Sequence, residues 1–170
     1  TGNYGLVGFG QSSGSGAPRV VSNFTTAAGF GTAASGLLTN GSFEDGYNGI
    51  EFGFSNLTFG TNGATATNVI LVTDEDRDNG NGALTLASTL TLLATNNALL
   101  NTVVDNPYTS DNNTSGVLGV DADGNAYVAD GSGGFTTDTG GTVGNGAGAT
   151  EVDYAGMALT NGGATWDLDL

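Results

Sequence analysis

The sequence predicts an α/β fold, a mostly parallel sheet flanked by helices. Three observations carry this. Val69-Ile-Leu-Val72 is apolar on both faces, the pattern of a strand buried inside a parallel sheet. A helical run at 83–95 follows it and leads to a second apolar strand at 98–104. A helix at 151–160 then leads to a last strand at 164–168, so strands and helices alternate as in βαβ units.

Taken in order, YGLVGF (4–9) is a short strand, 10–18 a loop, and Arg19–Phe24 a second short strand. TTAAGFGTAASGLL (25–38) mixes Ala and Leu with Gly and suits a weak helix. TNGSFED (39–45) is a loop entering a helix. Asn40 or Ser42 can cap it, and Glu44 and Asp45 sit in the first turn, where the helix dipole favours acids. Tyr47, Ile50, Phe54 and Leu57 then share one helical face; two glycines weaken this helix, so packing must hold it. Residues 60–68 are a loop and 73–82 an acidic loop. Within 83–95, Leu84, Ala87, Leu90 or Thr91, and Ala94 form a face that Leu86 and Leu93 broaden, and Asn96-Asn97 end it. Asp105-Asn-Pro107 stops the next strand. Residues 116–130 form a hairpin turning at Asp123-Gly-Asn125, and 131–150 are a Gly/Thr linker, so 116–150 read as an insert. In 151–160, Tyr154, Met157 and Ala158 point inward, and Asn161-Gly-Gly163 supplies a C-cap and turn. The whole of 1–170 suits a single domain with no internal repeat.

Composition excludes several functions. With two Arg, no Lys and 17 acids, the net charge of −15 leaves no basic patch for nucleic acid or anionic membranes. The chain has no Cys and no His, which removes disulfides, thiolate chemistry and the commonest general base and zinc ligand. No run approaches the ~20 apolar residues of a membrane span. Charged residues are only 11%, and small residues abound, the style of an exported protein whose signal is not part of this sequence. Asp outnumbers Glu, and many Asp sit in Gly/Asn loops, so a metal here is a hard cation, calcium or magnesium, held by oxygens.

NVILVTDEDRD (68–78) gathers Asp74, Glu75, Asp76 and Asp78 at the carboxyl end of the clearest strand, where open α/β sheets bind ligands. The residues alone leave two accounts: a metal or ligand rim, or acids that solubilise a loop and cap the next helix. Asp121-Ala-Asp-Gly-Asn125, with Asp130, has the alternate-oxygen spacing of a calcium loop through Asp121, Asp123 and Asn125. Ser132 stands where an EF-hand has Glu, and plain turn chemistry is the favoured account. Five Asn-x-Ser/Thr triplets are what an Asn- and Thr-rich chain contains by chance.

ILVTD and its polar loop resemble the fourth strand of von Willebrand factor type A domains. YGLVGFG resembles the second strand, NGSFEDGY (40–47) the following loop, and YAGMALTNGGATWDL (154–168) the last helix and strand. VTDEDRD, the VDADGNAYVADGSGG hairpin and NGGATWDL look like a variant in secreted bacterial proteins, often ones with a C-terminal sorting tail. The resemblance implies a Rossmann-like sheet and a metal-ion-dependent adhesion site. It gives Asp74 the role of the aspartate ligand and Ser42 that of the hydroxyl ligand, with Glu75 replacing the family's Gly. The family's Asp-x-Ser-x-Ser run is absent, as are its first, central strand and first helix. A longer protein, another segment or another subunit is then expected to supply that strand.

Three functions follow as expectations. One is an exported, cell-surface adhesion module in which a divalent cation bridges to a protein or glycan ligand. Another is a structural subunit of an extracellular, calcium-stabilised filament or sheath, in which a neighbouring copy completes the sheet. The third and weakest is a carboxylate-only glycan hydrolase, because Asp74 and Asp76 share one loop whereas such pairs flank a bond from separate elements. No catalytic residue is assigned.

Overall fold

The computed structural model describes residues 2–11, 14–38, 41, 43–59, 66–145 and 150–170. The chain divides into two compact units, one of residues 1–65 and 78–89, the other of 66–77 and 90–170.

In the first unit, β1 (Tyr4–Gly8) pairs antiparallel with β2 (Arg19–Thr25). Helix α1 (Ala27–Ala34) packs on this hairpin, capped by Thr26, whose hydroxyl accepts from the Gly29 N–H. Helix α2 (Gly46–Asn56) lies on β1. Its N-cap is Asp45, not Asn40 or Ser42; those two lie outside the described residues. Asp45 accepts from the N–H groups of Asn48 (3.3 Å) and Asn81 (3.1 Å), which a short carboxylate in extended backbone is suited to do. Tyr47 and Ile50 are buried and Phe54 and Leu57 half-buried, as their spacing predicts. The buried helix glycines also have a purpose: a Cβ on Gly49 would stand 2.9 Å from the Phe9 ring. Close approach to the hairpin offsets the propensity they lose. Rings of Phe24 and Phe54 meet Phe59 at 5.0 and 5.4 Å, and Asn23 ties this end of β2 to Thr58 through its amide.

The second unit is a six-stranded sheet. Strand β3 (Thr67–Thr73) pairs in parallel with β4 (Ala98–Val104), and β4 with β10 (Ala164–Asp167). Beyond β10 the sheet becomes antiparallel through β6 (Val117–Asp121), β7 (Ala126–Ala129) and β8 (Phe135–Asp138). The sheet is therefore mixed, and the hairpin insert extends it. Residues 131–150 are not simply a linker: they supply β8 and also β9 (Thr142–Val143), which pairs with β5 (Tyr108–Thr109). Thr136 and Thr137 of β8 lie opposite Val128 and Tyr127, so a strand with little to bury is held by its backbone ladder.

A π-helical turn (Glu151–Ala155) and helix α4 (Gly156–Thr160) pack on β4, burying Tyr154, Met157 and Ala158 as predicted. The Gly162 and Gly163 N–H groups close the helix on the Leu159 and Ala158 carbonyls, with Gly162 at φ +93°. Asn161 Oδ1 accepts from the Leu100 N–H at 2.5 Å, locking the helix end to β4. Helix α3 (Leu86–Thr95) starts later than the pattern predicts and turns another face inward. Thr89 and Leu93 are buried whereas Ala87 and Ala94 are exposed, so the bulky i, i+4 pair wins over alanine.

β3 is the main departure. Instead of lying inside the sheet it forms the edge, and its outward face is open: Ile70 is 63% and Val72 52% exposed.

Candidate functional site

Asp74 follows β3 directly and is exposed, as is Glu75, whose N–H donates to the Thr73 hydroxyl at 3.5 Å; Asp76 is half-buried. Asp78 belongs to the first unit. Its Oδ2 accepts from the Glu44 N–H at 2.7 Å, and its own N–H donates to the Glu44 carbonyl, so it bridges two loops. Ser42, the expected hydroxyl ligand, lies outside the described residues. Among the described residues no three acids gather into a group suited to a metal ion.

Asp121, Asp123 and Asn125 do come together, through hydrogen bonds. Asp121 Oδ1 accepts from the N–H groups of Asp123 (3.0 Å) and Asn125 (2.9 Å), and Oδ2 accepts from the Asn125 amide (3.0 Å) and the Tyr127 hydroxyl (2.9 Å). Burial raises the Asp121 carboxyl, but the Asn125, Tyr127 and Asp123 donors outweigh it and leave the group below its usual range. Gly124, at φ +81°, completes the turn.

Another carboxylate that gathers donors from distant loops went unpredicted. Asp138 accepts from the Ser110 hydroxyl (2.7 Å), the Asn112 N–H (3.2 Å) and amide (2.9 Å), and the Asn113 amide (3.0 Å). The Ser110 bond first, then those of Asn112, hold it far below the usual carboxylate range. These asparagines look in the sequence like mere glycosylation triplets, because their partner is 26 and 25 residues away. A chain of buried hydroxyls is likewise silent in sequence: Thr102 donates to Thr165 at 2.8 Å, and Thr165 bonds Tyr108 at 2.6 Å. Burial pushes the Tyr108 phenol up to about 12.

In the first unit, a cavity of about 50 Å³ is bordered by Phe9, Gln11, Phe43 and Asp45. It has room for a few waters and falls well short of the ~300–1,000 Å³ of a small-molecule pocket.

The most unusual surface is the sheet's open face. Val72, Val103, Trp166, Gly119 and Tyr127 stand in register across five strands. The Trp166 ring lies against Gly119 and 5.0 Å from Tyr127, which meets Phe135 edge-on at 5.3 Å. Ile70, Leu99 and Phe135 flank this stripe and are exposed. At its border, β3 offers seven residues in unbroken register with β4, and among the described residues no strand pairs with its other side. Thr67–Thr73 contains no charge, no Pro and no bulge, the devices that normally protect an edge.

No protein-family model, curated protein or solved structure matches this chain.

Proposed function

We propose that this chain is an exported, non-catalytic binding module whose sheet is extended when a strand of another polypeptide adds to β3. The unprotected edge of β3 is the observation that supports it. Seven extended residues offer a row of backbone donors and acceptors, and an added strand would take affinity from that row and specificity from its alternate side chains. Composition agrees: without His, Cys or Lys the chain is poorly equipped for catalysis, and with two Arg it is poorly equipped for nucleic acid. The probe strand is a synthetic peptide of residues 98–104, the sequence β3 already pairs with. Slowed amide exchange at those β3 N–H groups that do not bond β4 supports strand addition. Unchanged exchange with peptide in excess removes it.

Asp74 favours a second reading: a cation-dependent adhesion module of von Willebrand A type. Asp74 is exposed at the carboxyl end of a parallel strand, and in this reading its carboxylate would supply an oxygen ligand to calcium or magnesium. Calorimetric titration with calcium, repeated on Asp74→Ala, tests this; equal heats from both proteins remove Asp74 as a ligand.

A further inference from the structure

We infer that the strand received by β3 belongs to a partner polypeptide that is apolar along the strand and basic at the end lying beside Asp74. This rests on strand addition at β3 and specifies its chemistry.

Strands β3, β4 and β10 are parallel, so their carboxyl ends share one border of the sheet. Six acids follow those ends: Asp74, Glu75 and Asp76 after β3, Asp105 after β4, and Asp167 and Asp169 at the end of β10. One cation, Arg77, lies in the same loops. The opposite end of β3 is uncharged, from Ala66 to Asn68. A strand laid along β3 therefore has one end in a strongly negative field and the other in a neutral one. Basic residues at the first end gain attraction and faster encounter, whereas acidic residues there are repelled.

The side chains are specified by continuity. Residues of an added strand that face the open side would stand beside Ile70 and Val72 and carry the apolar stripe of Val72, Val103 and Trp166 one strand further. Like charge argues against a second copy as occupant, because each chain carries −15 and its two Arg cannot neutralise a neighbour's rim.

The test uses three fluorescent peptides of residues 98–104, flanked at both ends by Lys-Lys, Ser-Ser or Glu-Glu. Affinity is read by anisotropy, and the site by amide exchange across Asn68–Thr73. The expected result is at least ten-fold tighter binding of the Lys peptide than of the Glu peptide, β3 protected. That preference shrinks several-fold between 50 and 500 mM NaCl, and Asp74→Asn with Asp76→Asn reduces it. Ile70→Ser, on an exposed side chain, weakens all three peptides without changing the fold. Equal binding of the three with β3 protected overturns the basic partner and leaves strand addition standing. Lys-peptide binding without β3 protection overturns the inference as diffuse charge attraction. A dimer of the chain alone with β3 protected makes a second copy the occupant and overturns it as well. No protection by any peptide removes strand addition itself.

Discussion

Replacing Thr165 by Val isolates the buried hydroxyl chain. Thr165 and Thr102 are fully buried and Tyr108 is 3% exposed, and the Thr165 hydroxyl is the shared partner of the other two. Val keeps the β-branched shape that a strand favours but removes that partner, leaving two buried hydroxyls short of a bond. Each such group costs about 1–3 kcal/mol, so T165V should lose about 2–6 kcal/mol of a total stability of about 5–15 kcal/mol. Trp166, the chain's single tryptophan, is the next residue on β10, so its emission during urea unfolding reports this unit directly. The triple variant T102V/T165V/Y108F removes all three hydroxyls together and should recover most of the loss, because replacing every partner by apolar groups is nearly neutral. A T165V midpoint equal to wild type, or a triple variant weaker than the single one, would refute the assignment of stability to this chain of hydroxyls.

Three further outcomes follow. The folded-state pKa of Tyr108, about 12, is raised above its ordinary 10.0, so its contribution to stability is full below pH 10 and is lost as pH rises towards 12. Urea midpoints at pH 9, 10 and 11 should fall in wild type more steeply than in Tyr108→Phe. Asp138, depressed, has the opposite sign: its contribution is present above the ordinary carboxylate pKa and is lost as pH drops below it. Asp138→Asn should therefore speed amide exchange at Asn112 and Thr139 at pH 7, and the difference from wild type should shrink on acidification. Gly119→Ala would place a methyl against the Thr165 carbonyl oxygen and 2.8 Å from the Trp166 ring, so it should cost about 1–3 kcal/mol by urea unfolding and shift the Trp166 emission.

Much of the fold was legible because its signals are local. β4 falls where its apolar run lies, and Asn161-Gly-Gly163 closes α4 because a glycine, Gly162, reaches φ +93° without strain. What was not legible depends on partners distant in sequence. VILV reads as buried because every residue is apolar, yet burial of Ile70 and Val72 requires a neighbour that the pattern cannot name. β8 has one apolar residue, Phe135, too little for a strand pattern, and its pairing is set by β7. In α3 the alanines match a helical period as well as Thr89 and Leu93 do, so spacing alone does not say which face turns inward. Of the candidate ligands, sequence spacing correctly placed Asp121, Asp123 and Asn125 in one turn. Spacing alone does not say that the atoms meeting Asp121 are N–H and O–H donors.

That last point bears on the acidity of the whole chain. Aspartates in Gly/Asn loops read as raw material for calcium, but Asp45, Asp121, Asp130 and Asp138 all close their loops on donors of the chain itself. A calcium ion at the hairpin would have to displace donors from both oxygens of Asp121. The hairpin should therefore be indifferent to calcium. A site that binds only the folded chain adds about 2.7 kcal/mol when the ligand stands at a hundred times its Kd, or roughly 5–11 °C of Tm at 2–4 °C per kcal/mol. Scanning calorimetry in 1 mM calcium and in EDTA should give wild type and Asp121→Asn the same small calcium response, although Asp121→Asn melts lower in both. A calcium-dependent rise of several degrees that Asp121→Asn abolishes would show that the turn donors yield to the ion, and the hairpin would then be a metal site. If Asp74→Ala abolishes the rise instead, the cation belongs at the carboxyl end of β3, beside the edge that receives the added strand.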